Sequence, residues 1–439
     1  MDVQPQGAGG GAEEKVTFTV LVTGANSGLG FAICCRLIDE FLFTRPQSQT
    51  LHLLFSTRDA RKSEDTLRRL GKHLQKTLRE ANGRTMGISL LLEARVKLEG
   101  VLVDLLELRS VKALAEQLLR RGQRLDAVVW NAGIAGWKGL DWPKAIWHIL
   151  TDLIHASTYP TYPIPIEGLV TKAQTEARDE PKLGQVFTAN VFGHYLLTHW
   201  LSPLMDSETR VVWISSISAL PETFSADDVQ GLSAHMAYEG SKRLTDLLVL
   251  TSELPSTQPY VQNFLPATNH QPQAQASRPK MYVTHPGVVG TSIAGLPWLL
   301  ELLMFAAFYI ARWLGSPWHL VSAYKGAVSA VFAVIAHPSQ LPELEQREGK
   351  GKWGSATGVY GDERVARTEV EGWGFCGRVG VVPTGSVTAG RYRGRKETTR
   401  EVREGFEVEG RRVWGELEGL RGEWEGRLGA IKQEASVDV

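Results

Sequence analysis

Val16 to Val22 is a β-branched apolar run of strand length, and it leads directly into Thr23-Gly24-Ala25-Asn26-Ser27-Gly28-Leu29-Gly30. Phe31-Ala32-Ile33-Cys34-Cys35-Arg36-Leu37-Ile38 then continues as an apolar helix. A strand, a glycine turn and a helix in that order are the start of a wound parallel sheet, because a right-handed crossover returns the chain to the same sheet. The first N–H groups of the helix and its dipole make an anion site, and Gly24, Gly28 and Gly30 let the backbone approach a pyrophosphate. The spacing is G-x-x-x-G-x-G rather than G-x-G-x-x-G, and glycines alone fit an ordinary turn equally well.

The alternation continues downstream. Strands are expected at Leu51–Ser56, Gly100–Asp104, Leu125–Trp130, Val211–Ile214 and Met281–Thr284, and helices at 62–80, 111–121, 186–204 and 238–250. This predicts an α/β fold, a doubly wound parallel sheet of Rossmann type, with insertions and a C-terminal helical extension. Ligands collect at the carboxyl ends of such strands, where the glycines, Asp104, Asn131, Ser216 and Pro286 fall.

Tyr238-Glu239-Gly240-Ser241-Lys242 lies on one predicted helix, so Tyr238 and Lys242 share a face. A cation beside a phenol favours phenolate and brings the tyrosine pKa toward working pH, which suits acid–base chemistry. The pair by itself is also a common solubility device. Its company is more specific: Asn131-Ala132-Gly133 after one strand, Ser215-Ser216 after another, Asn190 in a long helix, and His285-Pro286-Gly287-Val288-Val289-Gly290-Thr291.

In this order the motifs resemble those of the short-chain dehydrogenase/reductase family, over about 17–291. Within it, the aromatic stretch after Asn131-Ala132-Gly133, Trp213 and the sequence following Tyr238 are most similar to fungal 3-keto-steroid reductases of ergosterol synthesis. The resemblance implies Tyr238 as proton donor, Lys242 as the group that lowers its pKa and contacts the ribose, Ser216 as donor to the carbonyl, and Asn190 as holder of a relay water. The gap from Ser216 to Tyr238 is longer than the family's usual spacing, which leaves Ser218 as an alternative and Ser215 in a structural role. A nucleotide site is implied at Gly24, Asn26, Ser27, Gly28, Leu29, Gly30, Arg58, Asp104, Asn131, Tyr238, Lys242, Pro286, Val289 and Thr291; no metal is implied.

The second strand ends in Ser56-Thr57-Arg58, with Arg61 and Lys62 following, where an acidic residue would select NAD. Arg58 is placed to pair with a 2′-phosphate, so NADPH is expected, unless Arg58 and Arg61 merely solvate a loop. Asp59 lies beyond the strand end. The implied reaction is reduction of a 3-keto sterol to the 3β-hydroxy sterol during C4 demethylation. The alternatives are another lipophilic ketone or retinoid as substrate, or a non-catalytic nucleotide-binding scaffold for membrane sterol enzymes.

The chain has 439 residues and formal net charge zero, with no basic stretch interleaved with aromatics, which argues against nucleic acid. Three cysteines make no disulfide framework and indicate a reducing compartment. Residues 1–15 read as a disordered leader without the apolar core of a secretory signal. The reductase domain is expected over 16–295, with insertions at 137–181 and 253–279, the second a flexible loop. In the first, Trp142, Ile146, Trp147, Leu150 and Leu153 predict an amphipathic helix over the ligand end of the sheet, or else a satellite core.

An apolar segment follows at 296–340, whose stretch 296–314 is too short and too charged at Glu301 and Arg312 to span a bilayer. It is either an interfacial helix or a cover over a sterol pocket, and one segment can do both. The former implies a peripheral protein on the cytosolic face of the endoplasmic reticulum or a lipid droplet, with other sterol C4-demethylation enzymes as neighbours. In the extension 341–439, Trp353–Gly361 is expected to be a closing loop. Val413, Leu417, Leu420, Trp424, Leu428 and Ile431 predict a helix docking on this domain or on a partner.

Overall fold

The computed structural model describes residues 16–84, 87–267, 278–290 and 297–429. Eight strands form one sheet: β1 (Val16–Val22), β2 (Gln49–Thr57), β3 (Val96–Leu102), β4 (Ala127–Trp130), β5 (Arg210–Ile214), β6 (Lys280–His285), β7 (Lys352–Thr357) and β8 (Glu363–Thr368). Their spatial order is β8-β7-β6-β5-β4-β1-β2-β3, parallel throughout except for the antiparallel pair β7–β8. The chain winds outward from β1 to β3 and then returns to β4 on the other side of β1. The strand order therefore reverses between β1 and β4, and the crevice outside their carboxyl ends is where such a sheet takes a ligand.

Helices cover both faces, as parallel strands buried on two sides require. One core layer packs Leu108–Arg121, the helical stretch 185–200, Ala237–Leu250 and Arg400–Leu428 against the sheet. The other packs Gly28–Thr44, Ala60–Arg84 and Val328–Ile335. The wound α/β architecture is the one expected. The expected helix 186–204 is broken, however, with a π turn at Thr188–Phe192 and a 3₁₀ turn at Ser202–Leu204.

Three other expectations change, and one open alternative is decided. Residues 352–368 are sheet, not a closing loop, so the sheet extends past the boundary placed at 295; Lys352–Thr357 alternates too little in polarity to read as a strand because it is buried on both faces. The helix Arg400–Leu428 docks on this domain, burying Phe406, Val413, Trp414, Leu417 and Trp424; Ile431 lies outside the described residues. Within 253–279, Gln258–Phe264 is a helix rather than loop, because Val261 and Phe264 reach the core and Phe264 stacks on Tyr195 with centroids 4.0 Å apart. In the first insertion, Trp142–Thr151 is helical, but Ile146, Trp147 and Leu150 face solvent and Ala145 is the buried residue, so the stripe does not cover the sheet. The leader 1–15 lies outside the described residues.

Candidate active site

The glycine turn sits at the β1–β4 crevice. A Cβ on Gly30 would stand 2.2 Å from the Gly24 carbonyl oxygen and 2.5 Å from Asn131 Nδ2, and one on Gly24 would stand 2.8 Å from Ala132 Cα. Only glycine fits these approaches, and Gly24 also has φ +67°. Asn131 Nδ2 donates to the Thr23 carbonyl at 3.0 Å, clasping the end of β4 to that of β1. Ala25 N–H donates to the Ser56 carbonyl at 3.1 Å, which braces the turn on β2.

Ser27 is the N-cap of Gly28–Thr44, yet its side chain caps no N–H and no acidic residue stands in the first turn. The helix start thus keeps donors and positive dipole for an anion. Arg69, absent from the expected site, donates to the Asn26 carbonyl at 2.8 Å and lies 4.0 Å over the Phe31 ring. Arg58 is exposed at the end of β2. Asp59 takes the Lys62 N–H at 2.8 Å and pairs with its ammonium, so this carboxylate is engaged in starting the next helix. Asp104 Oδ1 accepts the Leu106 N–H at 3.0 Å in a turn beyond β3.

The second half of the site is built on Ala237–Leu250. Asn190, in the π turn, accepts the Ile134 N–H through Oδ1 at 2.8 Å and donates through Nδ2 to the Ile134 carbonyl at 3.1 Å and to Ser241 Oγ at 2.9 Å. Ser241 Oγ in turn donates to the Tyr238 carbonyl at 2.6 Å. Asn190 therefore fixes the helix Ala237–Leu250 against the segment after β4, and π turns often mark functional sites. Tyr238 is half-buried, with the Trp137 ring edge-on at 5.5 Å, and its hydroxyl has no hydrogen bond among the described residues. Lys242 Nζ lies 5.6 Å from the Tyr238 ring centroid and donates to the Ile214 carbonyl at 2.8 Å.

Ser215 Oγ donates to the Lys242 carbonyl at 3.2 Å. Ser216 and Ser218 share a hydrogen bond of 2.9 Å, and of the two Ser216 is the less buried. No hydrogen bond joins Ser216 to Tyr238 among the described residues. Pro286 and Val289 lie in a segment held by a second strap, with Val288 N–H donating to the Trp318 carbonyl at 2.8 Å and Gly290 N–H to the Val321 carbonyl at 2.9 Å. Thr291 lies outside the described residues.

No model of a known protein family matches the chain. Curated proteins do. A 3-keto-steroid reductase of Aspergillus fumigatus is 43% identical over 96% of this chain and 97% of its own. One of Gibberella zeae is 39% identical over 94% and 95%, and one of Schizosaccharomyces pombe 32% identical over 80% and 90%. The chain belongs to the fungal 3-keto-steroid reductase family. Among solved structures, an L-sorbose reductase from Gluconobacter frateurii aligns over 75% of this chain and 93% of its own at 17% identity and a TM-score of 0.42, too weak a likeness to bear on function.

In this reductase the electrostatics correct one expectation. The Tyr238 phenol is not lowered toward neutrality: burial pushes its pKa well above the ordinary value, and the neighbouring Glu239 carboxylate adds to the rise. Desolvation is the larger cause, and the Lys242 ammonium is turned to a backbone carbonyl. Lys242 itself is brought down to about 8 by burial and by the charge of Lys352, against the pull of Asp246. His194 is held neutral, near 3, by burial. It bridges Thr23 Oγ1 at 2.9 Å and the Asn190 carbonyl at 3.4 Å, linking both halves of the site.

Sequence reasoning missed Ser241, His194, Asp246 and Lys352. For the first three a signal existed: Ser241 and Asp246 lie on the helix of the tyrosine motif, Asp246 four residues past Lys242, and His194 lies four past Asn190. Lys352 carried none, because its partner is 106 residues away.

Proposed function

We propose that the protein reduces a 3-keto sterol to the 3β-hydroxy sterol with NADPH, during C4 demethylation in ergosterol synthesis. The observation that carries this is the likeness of the chain over its length to fungal 3-keto-steroid reductases, supported by Tyr238 and Lys242 on one helix, Asn190 bonded to Ser241 of that helix, and Ser216 in the loop after β5. The uncapped helix at Ser27, the glycine cradle and the exposed Arg58 beside an engaged Asp59 fit a phosphorylated dinucleotide. When bound, NADPH supplies a hydride from nicotinamide C4 to the carbonyl carbon.

Tyr238, kept protonated by its burial, gives its proton to the carbonyl oxygen as the charge develops there, which yields the alcohol. Ser216 orients that oxygen by donating to it. The Lys242 cation offsets the phenolate left on Tyr238, and Asn190 keeps the helix that bears both in register. Trp137, against the Tyr238 ring, gives the ketone an apolar wall from the first insertion.

The membrane reading belongs to the same proposal. Among the described residues no helix is long and apolar enough to cross a membrane. The helix Trp298–Trp313 has two faces: Phe308 meets His319 at 5.5 Å and Phe305 lies where a Cβ on Gly290 would stand, while Trp298, Leu299, Leu302, Leu303 and Trp313 are exposed. One face covers the Pro286–Gly290 segment and the other is offered to an apolar surface. Leu153–Thr158 touches both this helix and Trp142–Thr151, whose Trp147 and Leu150 are also exposed, so the two apolar faces are linked. Such a surface suits the cytosolic side of the endoplasmic reticulum or a lipid droplet, where sterol substrate and other C4-demethylation enzymes would be met.

NADPH oxidation measured against 3-keto sterols, retinal and simple ketones tests the reading. Turnover should be greatest with 3-keto sterols and require NADPH over NADH. Preference for retinal, or no turnover with intact nucleotide binding, would overturn it.

A further inference from the structure

The catalytic helix extends its functional face by one more turn. Tyr238, Lys242 and Asp246 are four residues apart, so their side chains follow one another along the helix. Asp246 is fully buried, and its Oδ2 accepts from Lys352 Nζ at 2.6 Å. Lys352, on β7 and only 2% exposed, makes a second hydrogen bond of 2.6 Å to the carbonyl oxygen of Ser216. Nothing in the stability of the sheet requires this arrangement, because a buried ion pair is commonly replaced by apolar side chains without loss. What the pair does achieve is geometric. It joins the catalytic helix, the serine loop after β5 and the inner strand β7 through one ammonium.

The serine loop needs such a fixture. Between Ser216 and Tyr238 run 21 intervening residues, and before the helix begins at Ala237 the only regular element among them is the short 3₁₀ turn Pro221–Thr223. The Ser216 side chain is held by Ser218, itself part of the loop. Ile214 and Ser215 are tied to the helix by the Lys242 ammonium and the Lys242 carbonyl, and Lys352 carries that link one residue further, to the Ser216 carbonyl.

We infer that Lys352, anchored by Asp246, is a positioning residue that sets Ser216 against Tyr238 for ketone reduction. The inference rests on the reductase reading above, with Ser216 as the group that orients the ketone. It predicts a specific pattern. Without Lys352 no hydrogen bond of the nucleotide site is lost, Lys242 keeps its proton to higher pH because a neighbouring cation is gone, and the ketone loses the alignment that Ser216 provides.

A double-mutant cycle between Lys352→Met and Ser216→Ala tests it, read as kcat and KM for a 3-keto sterol, with NADPH binding followed by fluorescence titration. Lys352→Met should lower kcat at least tenfold with NADPH affinity within about twofold of wild type, and on the Ser216→Ala background it should cost less than threefold. Equal losses on both backgrounds, or no loss on either, would overturn the inference. Because Lys352→Met leaves Asp246 unpaired, the neutral pair Asp246→Asn with Lys352→Gln is the companion variant and should show the same coupling to Ser216. If both variants lose NADPH binding together with their fold, the pair is scaffold and the inference fails. A failure of the reductase reading would show separately, as absent sterol turnover in the wild type.

Discussion

From Glu239 to Leu250 the catalytic helix buries every residue, although Glu239, Lys242, Arg243 and Asp246 are among them, whereas Trp298–Trp313 is apolar almost throughout and buries only Ala311 and Arg312. Hydrophobicity alone would exchange the two. The first is tolerated inside because three of its charges have partners, Lys242 on the Ile214 carbonyl, Asp246 on Lys352, and Arg243 on the Glu371 carbonyl at 2.8 Å with Glu409 nearby, while burial raises the Glu239 pKa to about 7 and so favours its neutral form. Charges taken out of water without such partners cost several kcal/mol each. The second leaves large apolar side chains exposed where no charged residue breaks the patch from Leu302 to Ile310, which points to a surface other than water. Burial on one helix fits the proposed chemistry, and exposure on the other fits the proposed apolar surface.

Replacing Tyr238 with Phe should give the largest effect, lowering kcat by about 10²- to 10⁴-fold while NADPH affinity stays intact. Turnover like wild type would detach the buried helix from the chemistry. Lys242→Met should harm both kcat and NADPH affinity, and a loss confined to kcat would remove its ribose contact.

Arg243→Ala probes the same helix away from the reacting atoms. It leaves partners without their cation and should destabilise the fold by about 3–5 kcal/mol, measured by denaturant unfolding. A loss under about 1 kcal/mol would mean that the buried charges are not held as their contacts indicate. The pH profile sharpens the point. Lys242, depressed to about 8, is charged below that pH and loses its proton above it, so kcat/KM should fall roughly tenfold per unit on the alkaline side. A flat profile through pH 9 would show that its charge is not needed.

Arg58 is the contrasting case of an exposed cation. Arg58→Ala should weaken NADPH by about 1.5–3 kcal/mol and leave NADH nearly unchanged. Equal losses for both nucleotides would assign it to the loop. The smallest change in stability is expected where the sequence is most apolar: Leu302→Glu with Leu303→Glu should alter unfolding by no more than about 0.5 kcal/mol. The same variant should move the protein from the membrane to the soluble fraction with NADPH binding preserved. Unfolding instead would return the helix to the core, and continued sedimentation with membranes would shift the anchor to Trp147 and Leu150. Phe305 is unsuited to this test because it packs on Gly290.

Much of the site was legible because it rests on short-range geometry. The turn at Gly24–Gly30 follows from a strand meeting a helix, the Tyr238–Lys242 face from helical spacing, and the wound sheet from the alternation of apolar runs. Those are properties of neighbouring residues, and neighbours are what a sequence states directly. The tertiary structure decided the rest: that Lys352 reaches Asp246 across 106 residues, that 352–368 completes the sheet, and that the Arg400–Leu428 stripe is buried while the Trp142–Leu150 stripe is not. It also decided that Tyr238 rises rather than falls in pKa, against the simple effect of a nearby lysine. Each of these depends on which distant segments exclude water from a given group, and desolvation is a property of the folded surroundings rather than of the residue or its spacing.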